Sequence, residues 1–138
     1  MPVSRKLVAL SILLVSSKLF AVEFPVEVSE YIDDVKIDAY INKKDINEQS
    51  KWTPFKTAPG LSVDAALAAV DKYINTRTEF KDTRLISIEL KPIPHYEAYW
   101  YYLVKTKSAV SNEIKPHFFI VLMDGKVVSA IKEPDAIK

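Results

Sequence analysis

The chain has 138 residues, of which 49% are hydrophobic and 27% charged, with two glycines, eight prolines and no cysteine. That balance belongs to one folded globular domain and leaves no room for a second core. The missing cysteine excludes disulfides, thiolate metal sites, a cysteine nucleophile and a lipid-bearing cysteine. The 19 basic and 18 acidic side chains are scattered, which argues against nucleic acid as a partner, because that needs a concentrated basic face.

Residues 1–21 have the layout of a secretory signal. Arg5 and Lys6 form a positive start, Leu7 to Val15 an apolar stretch, and Ser16 to Ala21 a more polar run ending in a small residue. The apolar stretch is too short to cross a bilayer core of about 30 Å as a helix. Cleavage near Ala21 is therefore expected, leaving no stable membrane span and a periplasmic or secreted domain. With Arg5, Lys6 and Lys18 removed, 16 basic residues face 18 acidic ones. A disulfide-free exported domain fits a bacterial periplasm better than an animal secretion.

Residues 22–60 are expected to supply one strand and an extended strap. Val35, Ile37, Ala39 and Ile41 alternate with Lys36, Asp38, Tyr40 and Asn42, the period of a half-buried strand. Lys43 to Lys51 is polar loop. Trp52, Pro54, Phe55 and Pro59 then form an aromatic and proline segment that fits neither a regular helix nor a central strand.

From residue 61 the pattern is clearer. Ser62 suits a helix N-cap and Asp64 its positive end, and Val63, Ala66, Leu67, Val70 and Ile74 recur at helical spacing, predicting a helix from about Ser62 to Thr76. Three strands follow, over Arg84 to Lys91, Glu97 to Lys107 and Pro116 to Met123, with Pro92 and Pro94 ending the first. Asp124-Gly125 predicts a type I′ turn that returns Lys126 to Lys132 as a fourth strand. The fold class is α+β: one main helix packed on a four- to five-stranded antiparallel meander. Residues 61–138 fold as one domain with 22–60.

The run Leu61 to Ile131 resembles the PepSY-like domains of exported bacterial proteins. The resemblance rests on the helix opening LSVDAALAAVDKYI, the strand YWYYLVK and the closing hairpin FFIVLMDGKVVSA. It implies a noncatalytic periplasmic module that binds or restrains peptidases or assists other exported proteins, with no catalytic residues. The loop Ser108 to Lys115 and the segment before Pro59 are longer than a minimal domain of that kind needs. The layout is also similar to the broader cystatin-like arrangement. The connection KPIPHY lacks the glutamine, valine and glycine pattern of that family's protease-blocking loop, so protease inhibition is not carried over.

His95 and His117 are the only histidines, fewer than the three or four protein ligands usual for zinc, and they read as loop or strand-end residues, so no metal or other cofactor is expected. No nucleophile elbow or phosphate-cradling glycine loop occurs, because the glycines are Gly60 and Gly125 alone. The carboxylate pairs Asp33/Asp34 and Glu133/Asp135 suit surface turns. No catalytic residue is assigned.

The informative feature is aromatic. On a strand, Trp100, Tyr102 and Val104 face one side and Tyr99, Tyr101 and Leu103 the other, and residues 118–123 are apolar on both sides. One helix covers one face only. The second is covered by the strap Trp52 to Pro59 with the Val35 strand, or stays open as a groove or dimer surface. On the latter reading the face opposite the helix carries the binding residues Trp100, Tyr102 and Phe119. The partner is another exported protein or a second copy of the chain. The function expected is a noncatalytic binding or regulatory module; the alternative is a small periplasmic enzyme or ligand-binding protein of cystatin-like shape with an aromatic pocket.

Overall fold

The computed structural model describes residues 23–132. The signal segment 1–21 and the carboxylate pair Glu133/Asp135 lie outside the described residues. Among the described residues no helix is long and apolar enough to cross a membrane.

Two strands open the fold, β1 (Val26–Ile32) and β2 (Val35–Ile41), paired from Val26↔Ile41 to Ile32↔Val35. Asp33 and Asp34 close the hairpin at φ of 51° and 63°, the left-handed pair of a type I′ turn, which short polar side chains tolerate. Val26, Val28, Ile32, Ile37, Ala39 and Ile41 point into one core. Strand β1 is an addition to the single strand expected here. Its alternation is masked by Glu30, which sits at the edge and meets the Lys91 and Lys105 ammonium groups at 2.9 and 3.4 Å.

Two short 3-10 turns, Lys43–Asp45 and Glu48–Ser50, carry the chain across one end of the sheet. Lys51 then pairs with Tyr99, and the Trp52 amide donates to the Ala98 carbonyl at 3.1 Å. Gly60 passes so close to the Gln49 carbonyl that a Cβ would lie 3.1 Å from its oxygen. Helix α1 (Val63–Ile74) follows, its Ser62 hydroxyl accepting from the Ala65 amide at 3.1 Å as the N-cap role requires. Ala66 and Val70 are buried on its inner stripe.

The main sheet comprises β3 (Arg84–Ile93), β4 (Tyr96–Val110), β5 (Glu113–Leu122) and β6 (Val127–Ser129), in that order and antiparallel throughout. The α+β class with one helix on a four-stranded antiparallel meander is as expected; the details differ in four places. Pro92 does not stop β3, because β3 is an edge strand and Pro92 still opposes Trp100. The segment Ser108 to Lys115 is not a loop: β4 and β5 run on to a two-residue turn in which Ser111 and Asn112 both have positive φ. The turn at Asp124-Gly125 is not type I′. Of the residues Met123–Gly125 only Gly125 has positive φ, 89°, and the bonds Gly125 N–H to Leu122 O and Leu122 N–H to Lys126 O close a three-residue loop with a glycine bulge.

The fourth difference changes the architecture. The expected strand Lys126 to Lys132 divides at Ala130: β6 stays in the main sheet, while β7 (Ile131–Lys132) crosses to pair with β2, making a second sheet in the order β1-β2-β7. The main sheet thus lies between two covers. Tyr102, Val104, Phe119, Val121 and Met123 pack beneath α1, and Tyr101, Leu103, Phe118, Ile120 and Leu122 pack against the β1-β2 hairpin.

Candidate functional site

The expected binding face needs correction. Trp100, Tyr102 and Phe119 lie on the helix side of the sheet, and the face opposite the helix is closed by β1-β2. Tyr102 is 2% exposed and its hydroxyl donates to the Leu61 carbonyl. Burial raises the pKa of that phenol, so it stays a donor. Phe119 is fully buried among Tyr73, Phe80 and His117. Trp100 is half-buried, with Trp52 of the strap edge-on at 4.8 Å, and its indole N–H has no hydrogen-bond partner among the described residues. The strap therefore caps the end of the helix-side core instead of covering the second face. Strand alternation had separated the two sets of side chains, but it carries no information about which set meets the helix.

An open site lies where the two sheets part. Because β6 stops at Ser129 and β7 joins β2, residues 113–117 of β5 have no neighbouring strand on that side among the described residues, and a cleft of about 590 Å³ opens beside them. That volume falls in the range of small-molecule sites. Its walls are Val35, Phe80, Ile114, Pro116, Ala130 and Ile131, with Glu79, Glu113 and Lys115 also lining it. Ile114 and Ile131 are 73% and 62% exposed.

His117 and Ser129 also line the cleft. Both project to the helix side of the sheet, and the His117 Nε2 lies 2.9 Å from the Ser129 hydroxyl oxygen. The imidazole is held between the rings of Phe80 at 4.9 Å and Phe119 at 4.7 Å. Burial pushes its pKa down to about 4, outweighing the upward pull of the Glu79 carboxylate. At neutral pH the pair is uncharged, and it adds a hydroxyl and an imidazole to the lining of a mainly apolar cleft. A serine–histidine pair acts as nucleophile and base when a third group orients the imidazole, and no side chain among the described residues hydrogen-bonds its other nitrogen.

The two histidines are not brought together. His95 is exposed in the β3–β4 turn at φ 66° and borders a shallow depression with Phe24, Lys43 and Tyr96. Among the described residues no group of three histidine, aspartate or glutamate side chains is placed to hold a metal ion. Sequence reasoning missed the cleft because it depends on the division of the last strand at Ala130. One signal pointed toward it: His117 precedes Phe118 and Phe119, so it continues a strand that is apolar on both faces.

Compared with models of known families, with curated proteins and with solved structures, the chain matches none.

Proposed function

We propose that the chain is a noncatalytic, exported binding module of PepSY-like or cystatin-like layout, and that it engages another exported protein through the cleft at the division of its last strand. The observation that carries the reading is the cleft itself: apolar walls, two well-exposed isoleucines at 114 and 131, and a neutral His117–Ser129 pair. Binding sites commonly combine such walls with a few convergent polar groups. The capped helix on an antiparallel meander with a closing hairpin supports the family layout, and the signal-like residues 1–21 support export.

The test is photo-crosslinking in the exporting cell. A photoreactive residue replacing Ile114 is expected to yield a discrete protein adduct, and the same residue at Val63, 48% exposed on α1, is not. Adducts from position 63 with none from 114 would place the interaction elsewhere. Covalent labelling of Ser129 by a serine-directed fluorophosphonate would overturn the noncatalytic reading.

A further inference from the structure

We infer that the cleft selects a positively charged group on an apolar stem, an alkylammonium of the kind found in a free amine or a lysine side chain. The inference rests on the cleft being the binding site and adds the chemical class of what enters it.

Shape comes first. Even-numbered residues of β5 turn their backbone groups toward β6, since Ala130 N–H bonds Phe118 O at 3.2 Å and Leu122 N–H bonds Lys126 O at 2.9 Å. Pro116 shares that parity, so its missing N–H falls on the edge that borders the cleft. An incoming strand could not complete a ladder there. This edge therefore suits a side chain or small molecule and disfavours an added strand.

Charge comes second. Three charged side chains line the cleft, Glu79, Glu113 and Lys115. The Lys115 ammonium lies 3.9 Å from the Glu113 carboxylate, whereas Glu79 makes no ion pair among the described residues. With His117 neutral, the lining keeps one uncompensated negative charge and no uncompensated positive one. The Ser129 hydroxyl donates to the His117 nitrogen or to the Ala130 carbonyl 3.4 Å away, and in either arrangement its oxygen keeps a lone pair that accepts from an N–H. Phe80 adds an aromatic ring to the lining. A carboxylate would meet a lining that sets two carboxylates against one ammonium.

The experiment titrates the protein with n-hexylamine, hexanoate and 1-hexanol, and with N-acetyl-lysine N-methylamide, following the amide signals of Ile114, His117 and Ser129 by NMR. Hexylamine is expected to bind about tenfold more tightly than hexanoate, the scale of one partly screened charge contact. The preference is expected to collapse in Glu79→Gln, a change at an exposed position. Binding of the lysine derivative would point to a polypeptide ligand, and its failure beside bound hexylamine to a free amine. Equal binding of amine, alcohol and acid would overturn the charge selection while leaving the cleft as a site; binding of none of them would overturn both.

Discussion

Of the two histidines, His117 is the one held between aromatic rings, and dehydration sets its chemistry. The unfolded chain takes up this proton near the ordinary imidazole pKa of about 6.5, and the folded chain only near pH 4. Between those values the unfolded state binds more protons, so this group makes stability fall as the pH falls. Full shift of that size amounts to about 3 kcal/mol lost between neutral pH and pH 4. The difference in urea-unfolding free energy between wild type and His117→Gln is expected to shrink over this window as the wild type loses stability. Parallel pH profiles for the two proteins would show that the imidazole is solvated. Tyr101 shows the same physics with the opposite sign: burial, with Glu30 and Glu89 nearby, raises its pKa and keeps the phenol protonated.

At the scale of elements, the β1-β2 hairpin explains how the second sheet face is closed. Its inner residues complete an apolar core, and its outer edge is secured by charge: Glu30 reaches Lys91 and Lys105, and Asp33 reaches Lys107 at 2.7 Å. An inward-pointing charge on an edge strand also discourages edge-to-edge pairing. Glu30→Gln leaves two lysines without their shared carboxylate and is expected to cost about 1–2 kcal/mol, since these groups are partly solvated. Urea unfolding would read that loss, with reduced amide exchange protection concentrated in β1. An unchanged midpoint and unchanged protection would show that apolar contacts alone hold the hairpin. The same residue explains what was illegible. Helix α1 and the meander could be read because their signals are local: a Ser62 cap, an apolar stripe, and runs of aromatic and β-branched residues bounded by turn residues. Strand β1 was hidden because Glu30 occupies an inward position, and the lysines that satisfy it come from about 60 or more residues away. The turn at Gly125 was misread because Asp-Gly serves both a two-residue loop and the three-residue loop found here.

For the whole molecule, the consequence is that the candidate site lies away from the aromatic strand residues. The aromatic residues Trp100, Tyr102 and Phe119 belong to the layer beneath the helix, with Trp52 over Trp100, and offer no open sheet face. The open surface arises where sheet order changes, at Ala130, which is set by contacts between Ile131 and Lys132 of β7 and Ile37 and Asp38 of β2. A pairing between chain segments so far apart leaves no periodic trace in the sequence, so the cleft was not legible even though its polar residues were in view. The most direct measurement is a fragment screen on the uniformly ¹⁵N-labelled protein, mapping which amides move in ¹H–¹⁵N spectra. The account predicts that hits shift Ile114, Lys115, His117, Ser129 and Ile131 while Trp100 and Tyr102 stay still; hits that shift Trp100 and Tyr102 and leave the cleft unmoved would contradict it.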